Sequence, residues 1–234
     1  MAKPLIDRID CKGLGEACDA AAEIVSLTVN EALTAHQRCH VSLTGGTTPR
    51  PLYERMAANT GSPWARAHWY WSDERCVPPD HAESNYRMTA ESFLRPARIA
   101  AGQVHRMEGE RDQVEAAANY DRLVREVANN DGFDLVVLGM GADGHVASLF
   151  PGHAALEERD RHVIAIEGAS SLPTPNRLTW TLPAINSARL LLLLIVGDAK
   201  RKVADEILAN RDALTDQYPA ARVSARDRVV WIIG

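Results

Sequence analysis

Four kinds of segment are missing from this chain, and each absence bears on a class of function or location. No apolar run approaches the ~20 residues that a membrane helix needs; the longest, Leu190 to Val196, falls far short. No dense cluster of Lys and Arg occurs. The 31 acidic residues outnumber the 26 basic ones, for a net charge of -5. A nucleic-acid binder leaves a basic footprint, so neither nucleic acid nor membrane is an expected partner. The four cysteines (Cys11, Cys18, Cys39, Cys76) form no Cys-x-x-Cys pair and have no clustered histidines. That speaks against zinc and thioredoxin-like chemistry, and no metal is expected. Met1 to Asp10 lacks the apolar core of a secretory signal, which together with reduced thiols predicts a cytoplasmic protein.

What remains is an ordinary globular composition, 46% hydrophobic and 24% charged over 234 residues. Such a chain buries a core without staples, and no linker or repeat divides it. A single domain over 1–234 is expected. The hydrophobic pattern alternates between two periods. Val25, Val29, Ala32 and Leu33 mark a helix over 16–36, and residues 49–58, 84–94 and 198–210 also read as helices, as does the stretch around Tyr120, Leu123, Val124 and Val127. Short β-prone runs lie at His40 to Thr44, His68 to Trp71 and Val229 to Ile233. Phe133 to Leu138 and Leu190 to Val196 are nearly continuous apolar runs, as expected of strands covered on both faces. The fold class is therefore α/β: an open, mostly parallel sheet with helices on both faces. Ser170 to Pro175 reads as a loop able to close over a ligand.

Ligands of such sheets bind beyond the carboxyl ends of the strands, where three segments stand out. The first is Thr44-Gly45-Gly46-Thr47-Thr48-Pro49. Glycines let backbone N–H groups approach an oxyanion, and a helix start favours negative charge. Gly45, Gly46, Thr47 and Thr48 are thus candidate phosphate ligands, although an ordinary βα turn with a Thr N-cap has the same sequence. The second is Ser72-Asp73-Glu74-Arg75, followed by Ser84-Asn85. A charge run is usually a solvated loop; as a site, Arg75 would bind an anion, with Asp73 and Glu74 orienting it and Asn85 contacting the ligand or holding the loop. The third is Gly139-Met140-Gly141-Ala142-Asp143-Gly144-His145. It presents one imidazole, able to exchange protons near neutral pH, beside one carboxylate able to fix its tautomer. Arg177 and Lys200 are two further candidate cations, the latter in a helix's first turn, where only a nearby anion offsets the dipole. The seven other histidines read as structural.

These blocks, and above all Gly139 to Gly152, resemble the signature of the 6-phosphogluconolactonase family, the type related to glucosamine-6-phosphate deaminase and not the β-propeller type. Thr44 to Pro49, Ser72 to Pro78, Ser84 to Tyr86, Arg177 to Pro183 and Gly197 to Lys200 resemble its other blocks in order, so the likeness runs over about residues 15–234. Two departures are small: Thr44 and Thr47 stand where Ser is common, and Ala142 where Pro is. The resemblance implies hydrolysis of 6-phospho-D-glucono-1,5-lactone to 6-phospho-D-gluconate, in the pentose phosphate pathway, without metal or cofactor. It implies His145 as general base, with Asp143 behind it. The substrate's phosphate would be held by Gly45, Gly46, Thr47 and Thr48, and Arg75, Asn85, Arg177 and Lys200 would bind the substrate. Backbone N–H groups of the glycine turn, Gly141 and Gly144 included, are candidate oxyanion donors. Two alternatives are glucosamine-6-phosphate deaminase-isomerase and a non-catalytic sugar-phosphate sensor. The first wants an acidic residue shortly after His145, and Val146 to Gly152 has none. The second normally carries a DNA-binding helix pair, for which a pattern starting near residue 15 leaves no room.

Overall fold

The two continuous apolar runs become neighbouring strands at the middle of a parallel sheet. A computed structural model describes residues 4–130, 132–167 and 174–234; residues 170–173 of the expected closing loop lie outside them. In chain order the elements are β1 (Leu5–Asp10), α1 (Leu14–His36), β2 (His40–Leu43), α2 (Arg50–Ala58), β3 (His68–Trp71), β4 (Asp73–Arg75) and α3 (Asn85–Thr89). Then follow α4 (Gln113–Asn130), β5 (Leu135–Gly139), β6 (Val163–Glu167), β7 (Asn176–Trp180), α5 (Leu182–Asn186), β8 (Leu190–Ile195), α6 (Asp198–Ala209), α7 (Pro219–Arg222) and β9 (Arg228–Ile233).

Six strands form the main sheet in the order β1-β9-β8-β5-β2-β3, and every neighbouring pair is parallel. Successive side chains of a strand point to opposite faces. In β5, Leu135 and Val137 therefore enter one core with α1 and α2, while Val136 and Leu138 enter the other with α4 to α7. Both faces are covered, which is why these runs lack polar alternation. From β2 the chain moves outward to β3; from β5 it moves the opposite way, to β8 and β9. The point of reversal, between β2 and β5, opens a crevice at their carboxyl ends.

Two features depart from the sequence reading. The strand-and-helix pattern begins at β1, not near residue 15. β1 is an edge strand with Leu5 and Ile6 exposed, so it carries no apolar face to betray it. The charged segment Asp73–Arg75 is not a solvated loop. It is β4, the edge of a second sheet in which β4 pairs antiparallel with β7, and β7 with β6. Elsewhere the expected elements stand within a few residues. Ser84 caps α3, its Oγ accepting from the Arg87 N–H at 3.1 Å, although the helix runs on through a π turn at Ala90–Leu94.

Candidate active site

The loop after β2 is held from below. The Tyr53 hydroxyl, buried on α2, accepts from the Thr44 N–H at 3.0 Å and donates to the Thr44 carbonyl at 2.6 Å. Burial pushes this phenol above its ordinary range, so it remains a neutral clamp. Beyond it, Gly46 has φ +95, a conformation that side chains resist. An added Cβ at Gly45 would overlap the Asn85 side-chain amide. Residue 49 takes the N-cap position of α2 with no side-chain cap, so the loop is not the ordinary Thr-capped turn. Among the described residues, none of the N–H groups of Gly45, Gly46, Thr47 and Thr48 donates to another protein group. Four unengaged donors in one loop at a helix start are an arrangement suited to an anion.

β4 and α3 meet around one buried carboxylate. Glu74 accepts from the backbone N–H groups of Arg75, Asn85 and Tyr86, each at 2.8 Å, and from Ser84 Oγ at 3.1 Å. Burial pushes the Glu74 carboxyl up, and these donors pull against it. The neighbouring Asp73 accepts from Ser148 Oγ at 2.7 Å and from Asn85 Nδ2 at 3.3 Å. Neither acid therefore orients the Arg75 guanidinium, contrary to expectation: both are turned toward backbone and neutral side chains. Glu83 does that work, accepting from Arg75 Nη1 with its carbonyl and standing 3.6 Å away with its carboxylate. Asn85 holds the loop, since its Nδ2 also donates to the Asp73 carbonyl at 2.9 Å.

The glycine turn follows β5 directly. Asp143 Oδ1 lies 2.7 Å from His145 Nδ1. A carboxylate can only accept, so Nδ1 carries the proton and Nε2 is left as the basic nitrogen. Gly141 leaves the space that this pair occupies; a Cβ there would overlap the imidazole and Asp143. The Gly141 N–H donates to the His145 carbonyl at 2.9 Å, and the Gly144 N–H to the Gly141 carbonyl at 3.1 Å. These two N–H groups close the turn, so they are not free oxyanion donors as expected. The Gly144 carbonyl is fixed in turn by the Ala220 N–H at 2.9 Å.

Three cations complete the site. Arg75 and Arg177 are direct partners across β4 and β7. Like charges placed opposite each other destabilise a sheet. Arg177 is only 7% exposed, and burial, together with Arg75, lowers its pKa. Its Nε donates to the Thr174 carbonyl at 2.6 Å; the Arg75 Nε is buried without a partner among the described residues. Lys200 stands in the first turn of α6. A cleft of about 320 Å³ gathers nearly every residue singled out in the sequence: Gly45 to Thr48, Arg75, Asn85, Gly141, His145, Arg177 and Lys200. Asp143 and Gly144 are not part of this lining, although Asp143 contacts His145, which is. The sequence does not single out Tyr53. Ser148, whose partner Asp73 is 75 residues away, and Phe150, which lines the cleft with its ring 4.9 Å from that of His145, lie within the Gly139 to Gly152 block, but the sequence assigns them no role there. Among the described residues no three His, Cys, Asp or Glu side chains group as metal ligands, and no helix is long and apolar enough to cross a membrane.

Comparison with known proteins identifies the relatives of this chain. The family described as glucosamine-6-phosphate isomerases/6-phosphogluconolactonase matches residues 14–231. A 6-phosphogluconolactonase of Synechocystis is 34% identical over 92% of this chain and 90% of its own. One from Thermotoga maritima is 35% identical over 92% and 93%, and a crystal structure of the Thermotoga maritima 6-phosphogluconolactonase superposes with a TM-score of 0.85 over 99% and 100%. A monomeric glucosamine-6-phosphate deaminase shares the fold, at 21% identity and a TM-score of 0.80 over 97% of both chains.

Proposed function

The chain belongs to the glucosamine-6-phosphate isomerase/6-phosphogluconolactonase family, and on that premise we propose how its cleft works. The chain is a lactonase: it hydrolyses 6-phospho-D-glucono-1,5-lactone to 6-phospho-D-gluconate, a step of the pentose phosphate pathway. The phosphate anchors in the cradle of Gly45, Gly46, Thr47 and Thr48. Arg75 and Arg177, side by side on β4 and β7, act as a pair on the substrate's charge, and Lys200 adds a third cation. An anion bound by both arginines offsets the repulsion between them.

At the other end, His145 Nε2 takes a proton from water as its oxygen attacks the lactone carbonyl. Asp143 stabilises the imidazolium that forms. The tetrahedral intermediate then collapses, the bond from the carbonyl carbon to the ring oxygen breaks, and His145 returns its proton to that oxygen. With the Gly141 and Gly144 N–H groups engaged, the cations of the cleft are the better candidates for the oxyanion.

The observation that carries this reading is the 2.7 Å contact between Asp143 and His145 Nδ1 in the cleft that also holds the anion cradle. Isomerisation of an amino sugar needs a carboxylate free to abstract a proton. Asp73 lines the cleft, but both of its oxygens already accept hydrogen bonds. The four cysteines are free, which suits a reducing compartment, and we place the enzyme in the cytoplasm. The test is hydrolysis of freshly generated lactone with the spontaneous rate subtracted. His145→Ala is expected to lower kcat ~10²- to 10⁴-fold with little change in KM. A folded variant with near-normal kcat moves the base elsewhere.

A further inference from the structure

His145 lies on a surface turn, and the Asp143 contact joins it only to its own turn. Something must fix that turn relative to the substrate. Besides the Ala220 N–H on the Gly144 carbonyl, a buried side-chain tie lies close to it. Three residues after His145, Ser148 is fully buried, and its Oγ donates to Asp73 Oδ2 at 2.7 Å across 75 residues of sequence. The Ser148 N–H donates to Thr179 Oγ1 at 3.2 Å, and Thr179 is the register partner of Asp73 between β4 and β7. Between His145 and Ser148, Ala147 is held at φ +50. A non-glycine residue keeps that left-handed conformation only where its surroundings enforce it. The tight turn Val146 to Leu149, closed by the Leu149 N–H on the Val146 carbonyl at 2.9 Å, is the place where they do.

Asp73 also reaches the phosphate end. Its other oxygen accepts from Asn85 Nδ2, and the Asn85 amide fills the space against Gly45. One carboxylate, 6% exposed, therefore touches the support of the anion cradle on one side and of the catalytic turn on the other. We propose that Ser148 and Asp73 are positioning residues, and that their hydrogen bond sets the distance between the anchored phosphate and His145 Nε2. A general base displaced by even ~1 Å loses much of its effect. This inference rests on the lactonase reading with His145 as base.

The experiment is a double-mutant cycle on the whole protein, read as kcat and KM for the lactone. Ser148→Ala is expected to lower kcat about tenfold, with KM within about twofold of wild type. In a His145→Ala background the same change should cost less than about twofold, because a positioning residue has no effect once its base is gone. Asp73→Ala should behave like Ser148→Ala, and Asp73→Asn, which keeps an acceptor for the Ser148 hydroxyl, should recover most of the kcat. A general loss of packing would lower the rate equally in both backgrounds and would overturn the proposal. So would a folded Ser148→Ala enzyme with wild-type kcat. If Ser148→Ala fails to fold, the contrast between Asp73→Ala and Asp73→Asn decides alone, and equal kcat in those two overturns it. Failure of the parent reading looks different: His145→Ala itself would keep its rate.

Discussion

At Gly45 and Gly141 the chain has no room for a methyl group, and the two positions test opposite ends of the same cleft. A Cβ at 45 meets the Asn85 amide under the anion cradle, whereas a Cβ at 141 meets the ring of His145 and the carboxylate of Asp143. Gly45→Ala is therefore expected to raise KM at least tenfold with a smaller effect on kcat. Gly141→Ala should lower kcat at least tenfold and leave KM within about threefold, since only the proton-transfer pair is displaced. Steady-state kinetics on the two variants checks both, and the same split in both variants would mean that the cleft is not divided in this way. Much at this scale is legible in sequence, because glycines, hydroxyls and one imidazole fall within a few residues of strand ends. Their partners are not legible. Nothing near Ser148 announces that Asp73 will face it, since that contact exists only once β4 has paired with β7.

The same limit appears one scale up. β5 and β8 are legible because burial on both faces demands continuous apolar runs. β4 is not, because three charged residues in a row match the pattern of a loop, and what makes them a strand is the set of partners that each finds. Glu74 is the clearest case. It closes the link from β4 to α3 by accepting from three backbone N–H groups and a hydroxyl. Deleting that acceptor leaves several buried donors unpaired. A loss of about 3 kcal/mol is expected for Glu74→Ala, which lowers Tm by roughly 6–12 °C in a chain of this size. Glu74→Gln, which still accepts through one oxygen, should lose clearly less. Because α3 carries Asn85, Glu74→Ala should also raise KM. Thermal unfolding alongside kinetics tests the argument, and a Glu74→Ala protein as stable as wild type would show that the clamp does not hold the link.

Over the whole molecule, the sheet separates two chemistries by its two edges. The cleft lies at the carboxyl ends of the strands. At the opposite edge, His40 begins β2 and His68 begins β3, and His105 joins them: His68 Nδ1 is 2.9 Å from His105 Nε2, and the His105 ring stacks on Tyr70 at 4.5 Å. Burial first, then the neighbouring His68 and His40, lowers the His105 pKa to about 4, and burial also lowers that of His68. Both rings are thus neutral in the fold at pH values where the unfolded chain, with histidine near 6.5, already binds protons. The unfolded state binds more protons than the native one between about pH 6.5 and 4, so stability falls as pH falls through that window and gains nothing from these groups above it. We read the chain as one cooperative domain, so this loss at the far edge should move a single unfolding transition. Tm measured from pH 7.5 to 4.5 is expected to drop along that slope, and His105→Gln should make the slope shallower. The pH dependence of kcat, set by the cleft at the other edge, should stay as in wild type. An unchanged slope in His105→Gln would remove the cluster as the cause, and a changed kcat profile would mean that the two edges of the sheet are coupled.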